Sequence, residues 1–287
     1  MTHRAGPLDA TAEPLDPRTD YEAIGRQAAA YDFPWDTRRA YEIALLKTFA
    51  VPTSSRLLAA TGEFTERTAK RHDDTVAIVA ALGLHGLDSP EGRQALRIMN
   101  KAHAAYAIDA AEYRYTLARF VLEPIAWNRR FGWRSLTDEE QQAGFHFWME
   151  VGRRMAVPDL PETLPALERE SEAFERTHVH YDPANRRLLD AVLASQTRGW
   201  GTAGQKAART IVAALLNDQY REAFALTRPP QWVRATLHTT LNWKAAAVRR
   251  LPRRKRPAPM PALRTYPGGV NWNRVGPAHA RRDGGKA

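Results

Sequence analysis

The chain has 287 residues, 44% of them hydrophobic and 26% charged, enough for one large core or two small ones and ordinary for a globular protein. It contains no cysteine, which excludes disulfides, zinc-thiolate centres, iron–sulfur clusters and covalent attachment through a C-x-x-C-H motif. Its net charge of +10 sits at one end: from Arg249 onward there are eleven basic residues and one acid, so the body before it is balanced and lacks the basic excess that a nucleic-acid-binding domain carries.

No apolar run reaches the ~20 residues needed to cross a bilayer. Residues 1–20 are polar, with acids and prolines, unlike a signal peptide, so a cytoplasmic protein is expected. Helical periodicity then covers almost the whole chain. Residues 35–62 give an interrupted amphipathic stretch with Tyr41, Leu45 and Thr48 at helical spacing and a break at Pro52. A second helix is predicted over 67–82, ended by Gly83 and Gly86. The longest stretch is 90–121, where Leu96, Met99, His103, Tyr106, Ala110, Tyr113, Leu117 and Phe120 follow one another at steps of three and four. Glu123-Pro124 is expected to stop it.

Thr137-x-x-Glu140 is a capping-box pattern that opens a helix running through Met155. Further helical patterns cover 161–179, 185–193, 204–216 and 220–227. After Pro229-Pro230 a separate amphipathic helix spans 231–250, with Val233, Leu237, Leu241 and Val248 in a line beside Trp232 and Trp243. Beyond it, sequence rich in Pro, Gly and Arg predicts an extended or poorly ordered tail. The pattern is all-α: an N-terminal arm (1–30), one helical domain (31–228), and an amphipathic helix with a basic tail (229–287).

Two constellations could carry chemistry. His103 lies on the longest apolar stripe, with Ala102, Ala104, Ala105 and Ala107 around it, leaving room for a large flat group beside the imidazole. Such a histidine is either a core residue bonded to a carbonyl or an axial ligand of haem iron. On the preceding helix Arg71, Asp74 and Thr75 share a face at i, i+3 and i+4, continued by Ile78 and Leu82. They are either an intrahelical ion pair or a polar pocket, in which Arg71 and Thr75 polarise dioxygen and Asp74 moves protons or ligates. Lys70 and Arg97 are candidate partners for haem propionates, while His72 and Asp73 point to another, solvated face. Glu175-x-x-His178 has di-iron spacing but no second copy, and His178-x-His180 near Asp182 falls where a helix ends. His146, among Phe145, Phe147 and Trp148, reads as a packing residue. There is no G-x-S-x-G, P-loop or G-x-G-x-x-G motif.

These residues resemble the MpaB-type oxygenase family, which includes bacterial latex-clearing proteins (rubber oxygenases) and a fungal mycophenolic-acid pathway enzyme. The resemblance runs through Tyr41-Glu42-Ile43-Ala44-Leu45, Thr61-Gly62-Glu63-Phe64, Lys70-Arg71-His72-Asp73-Asp74-Thr75 and Arg97-x-Met99-Asn100-x-x-His103. It continues with Tyr115-Thr116-Leu117, Phe131-Gly132-Trp133-Arg134 and Val151-Gly152-Arg153-Arg154-Met155, about 120 residues in all. It implies an all-α domain enclosing a haem b pocket, with His103 as the iron ligand and Arg71, Asp74 and Thr75 as catalytic residues. The reaction it implies is dioxygen-dependent oxidation of carbon–carbon double bonds in a small hydrophobic, isoprenoid-like substrate. The rubber-cleaving branch has an Arg-x-x-Lys-Thr motif at 71–75, and Asp74 stands where that branch has its lysine.

Two other functions fit the same sequence. One is a haem-binding sensor or carrier of this fold that does not turn over. The other is a cofactor-free helical module whose basic tail binds anionic membrane or nucleic acid. The segment from Trp232 to Arg256 combines apolar area with cations, the combination that holds a peripheral protein at an anionic membrane surface. The same segment could instead pack its Val/Leu line on the domain and leave the basic run solvated.

Overall fold

The computed structural model describes residues 14–260 and 262–277. Among them every regular element is helical. A short α1 (Tyr21–Arg26) runs into a π-helical turn (Gln27–Asp32), followed by α2 (Pro34–Thr48), α3 (Pro52–Ala60), α4 (Thr68–His85) and α5 (Pro90–His103). The longest helix is α6 (Ala110–Phe131), and α7 (Asp138–Arg154), α8 (Leu164–His178), α9 (Pro183–Gln196), α10 (Gly201–Leu215), α11 (Asp218–Ala223) and α12 (Gln231–Arg250) complete the set.

The helix α6 is central because its apolar residues occupy more than one face, so it packs against α2, α7 and α8 together. Leu117, Ala118, Phe120, Val121 and Ile125 meet Phe145, Trp148, Met149 and Val151 of α7, with Leu82 of α4 and Leu96 of α5 in the same core. Phe120 stacks on Trp148 at 4.6 Å, and Tyr41 of α2 sits edge-on to both rings. A second core joins Phe49, Phe64 and Tyr115 to Phe174, Leu188, Tyr220 and Phe224. Gly152 faces α6 closely: a Cβ there would lie 2.7 Å from Leu117 Cδ1, so that side chain would have to shift.

The continuous helix expected over 90–121 is two helices. The chain leaves the helix after His103, turns through 104–109, and restarts where the Asp109 side chain accepts from Ala111 N at 2.7 Å, capping α6. The steps of three and four carry across the break, so periodicity alone did not reveal it. Conversely, Pro124 does not end α6, which continues through it to Phe131. A proline inside a helix costs about 3 kcal/mol, and burial of Ile125, Trp127, Asn128 and Phe131 beyond it offsets that cost. The capping box of Thr137 and Glu140 is formed as the sequence predicts.

As far as Pro277 the segment after α12 is not a loose tail; residues 261 and 278–287 of the expected tail lie outside the described residues. Although almost without helix, the segment folds back onto α4 and α5, where Leu263, Tyr266 and Val275 are buried against Ala77 and Ile98. We refer to residues 263–276 as the strap.

Candidate active site

The candidate residues lie where α4 packs against α5. Arg71 and Thr75 lie one turn apart on α4, and Arg71 donates a hydrogen bond to the Thr75 hydroxyl. The guanidinium lies 4.8 Å over the Phe64 ring, and Glu63, Asp74 and Tyr106 are close enough to stabilise its charge. Burial outweighs them and holds Arg71 below the usual arginine range. Glu63 is itself buried and accepts from Arg67 at 2.6 Å.

His103 closes α5, with its ring edge-on to Tyr113 at 5.6 Å. Burial, and then the positive field of Arg71, lower its pKa to about 4, so the imidazole is neutral near pH 7. Its Nδ1 is buried and has no hydrogen-bond partner. A buried ring nitrogen left unsatisfied costs about 1–3 kcal/mol and calls for an explanation. His103 and Arg71 are each half-buried, and burial is the largest influence on the charge of both. Of the expected grouping of His103 with Arg71, Asp74 and Thr75, the field of Arg71 reaches the imidazole. The sequence did not single out Glu63, Phe64, Tyr106 or Tyr113; Glu63 and Phe64 belong to the Thr61-Gly62-Glu63-Phe64 motif, but nothing local ties them to Arg71.

Asp74 is elsewhere. Its carboxylate accepts from Lys70 Nζ, from the Tyr266 hydroxyl and from Gly276 N at 3.1 Å. Lys70 also donates to Gly276 O at 3.1 Å. Asp74 follows Arg71 by three residues and Lys70 by four, so Lys70 and Asp74 lie together about 100° around α4 from the Arg71–Thr75 pair. Asp73, expected in solvent, is buried and accepts from Thr265 N at 2.7 Å. The two aspartates therefore fasten the strap. Arg97 is exposed and bonds to Gln94.

Of the competing metal motifs, Glu175 and Asp182 are held in ion pairs, and His178 and His180 are exposed. Glu175 pairs with Arg119, which also donates to Glu123 at 3.0 Å, and Lys47 donates to Glu123 at 2.6 Å. These four charges surround the Tyr115–Tyr220 hydroxyl contact of 2.7 Å in the core. His178 stacks on Phe174 at 4.1 Å, and Asp182 caps α9 and holds Arg56. Among the described residues no three His, Asp or Glu side chains converge on a possible metal position. A separate cavity of about 460 Å³ lies between α6 and α8, lined in part by Ala111, Tyr115, Leu167 and Phe174.

Residues 43–251, helices α2 to α12, match the family described as "ER-bound oxygenase mpaB/B'/Rubber oxygenase, catalytic domain". The chain belongs to this family. The ER-bound oxygenase mpaB' of Penicillium brevicompactum is 26% identical over 243 residues, covering 77% of this chain and 57% of that protein. The ER-bound oxygenase mpaB of the same organism is 28% identical over 218 residues, 66% of this chain and 56% of that protein. The mpaB oxygenase of Penicillium roqueforti (strain FM164) is 28% identical over 204 residues, 64% of this chain and 68% of that protein. The chain thus spans little more than half the length of the first two relatives. Arg71, Thr75 and His103 lie within the matched oxygenase region, whereas the strap lies beyond it. No helix among the described residues is long and apolar enough to cross a membrane.

Proposed function

We propose that this oxygenase-family protein holds haem b through His103 and uses dioxygen to oxidise an unsaturated lipid or isoprenoid-like substrate. The observation that carries the proposal is the neutral, largely desolvated His103 imidazole, with an unsatisfied ring nitrogen, within the field of Arg71. A neutral imidazole in a desolvated site is the form that ligates iron. Bound haem would supply the binding and activation of dioxygen.

The protein's own contribution is electrostatic. Arg71 stays cationic because Asp74, Glu63 and Tyr106 oppose the burial penalty, and it holds the Thr75 hydroxyl in one orientation. Together they supply a fixed cation and an oriented hydroxyl, the kind of donors that stabilise developing negative charge. Phe64 beneath the guanidinium limits its movement and keeps water from one face. In this reading Asp74 acts through α4, by holding the helix that carries Arg71 and Thr75. Lys70 is engaged with Asp74 and the strap, and Arg97 is exposed and bonded to Gln94, so neither is assigned to the haem.

Dioxygen uptake tests the proposal. Protein produced with a haem precursor and supplied with a polyprenyl alkene should consume dioxygen and release oxidised alkene fragments. Stable haem binding with no uptake across a panel of unsaturated lipids would make the protein a haem carrier or sensor.

A further inference from the structure

The Val/Leu line of α12 packs inward, and what remains outside is unusual. Leu241 and Ala245 are buried, with Leu237 beside them, against Ala40, Trp127 and Phe131. Lys244 reaches the buried Asp36 carboxylate at 2.6 Å, and Arg249 donates to Trp133 O at 2.7 Å. The helix is therefore fixed with one face outward. On that face Trp232 and Trp243 are 70% and 74% exposed, and Leu251, just beyond the helix end, is 65% exposed. The tryptophans are eleven residues apart, close to three full turns, so they lie on one line along the helix. Exposed tryptophans aligned on a fixed helix have no role in holding this fold.

Charge says what covers them. From Ala223 to Arg282 the sequence has no acidic residue. Arg253, Arg254, Lys255 and Arg256 follow Leu251 and are exposed. Beside Trp232 is a recess of about 400 Å³ lined by Arg228, Arg234 and His238 together with Pro229, Gln231 and Ala235. Arg130 bonds to His238 at 2.6 Å, adding a further cation to its wall. Arg228 is paired with Asp218 at 2.6 Å, so its charge is offset. The indole rings with Arg234, Arg130 and the run from Arg253 still match the interface of an anionic bilayer, where indoles sit at the headgroup level and cations meet lipid phosphates.

We propose that the outward face of α12, with the basic run to Arg256, docks the protein on an anionic phospholipid bilayer, Trp232 and Trp243 entering the headgroup layer. This inference does not depend on haem at His103, and its test reads lipid binding alone. Full-length protein should sediment with phosphatidylglycerol vesicles and remain in solution with phosphatidylcholine vesicles, and added salt should release it. The Trp232→Ala/Trp243→Ala double variant should lose binding while melting at the unaltered temperature. Arg254→Gln/Lys255→Gln/Arg256→Gln should weaken partitioning on the order of a hundred-fold. Independently, phosphatidylglycerol brominated on its acyl chains should quench part of the tryptophan fluorescence of the unaltered protein, and much less of that of the double variant. The proposal is overturned by equal binding to neutral vesicles, by no binding to anionic vesicles at low salt, or by full binding of the double variant. Preference for nucleic acid over vesicles would overturn it too.

Discussion

Arg71 and Thr75 are the side chains whose removal should separate chemistry from cofactor binding. In the proposal neither ligates the group held by His103, and both supply polar donors to the reaction. Donors aimed at developing negative charge are typically worth about 3–4 kcal/mol, two orders of magnitude or more in rate. Arg71→Ala should therefore bind haem as the unaltered protein does and turn over at least about a hundred times more slowly. Loss of haem with an unchanged rate per remaining haem would instead make Arg71 a haem-holding residue.

His103 carries a pH signature of its own in the haem-free protein. Its folded pKa of about 4 lies below the ordinary 6.5, so between those values the unfolded chain binds more protons than the folded one. The contribution is complete above about pH 6.5 and is lost as the pH falls towards 4. Urea midpoints should decline through that window, and His103→Gln should flatten the decline; equal slopes would show that the ring is not desolvated. Arg71, Thr75 and His103 were legible in the sequence because helical spacing and the family motifs mark them. The position of Asp74 was not, because its partners Tyr266 and Gly276 lie about two hundred residues away and no local pattern announces them.

Among the elements, α4 bears two loads, the Arg71–Thr75 pair on one side and the strap on another. Asp74 is buried with Lys70 and Tyr266 as partners, and removing one member of such a group leaves the others unpaired. Asp74→Ala should cost about 3–5 kcal/mol and expose the strap to proteolysis after α12. Tyr266→Phe, which leaves the ion pair intact, should cost less. If the Asp74→Ala protein melts normally and keeps its strap protected, these bonds do not secure α4.

Helix positions were largely readable from apolar periodicity and from caps such as Thr137. The break at 104–109 was hidden because alanines sustain the helical pattern on both sides of it. The continuation through Pro124 was hidden because it depends on tertiary burial of Trp127 and Phe131.

At the scale of the molecule, charge is segregated: the body before Arg249 is balanced, and the segment from Arg249 onward carries the excess cations. Composition disclosed that asymmetry but not its form: a Pro- and Gly-rich segment reads as disordered, yet Leu263, Tyr266 and Val275 anchor it without any repeating pattern.

Everything proposed about the chemistry depends on one haem per chain, held by His103. Titration of the purified haem-free protein with haemin, followed at the Soret band, measures this directly. The account predicts saturation at one equivalent for the unaltered protein, with a pyridine haemochrome spectrum of haem b, and little or no Soret band for a folded His103→Ala variant. An identical titration curve for His103→Ala would contradict it.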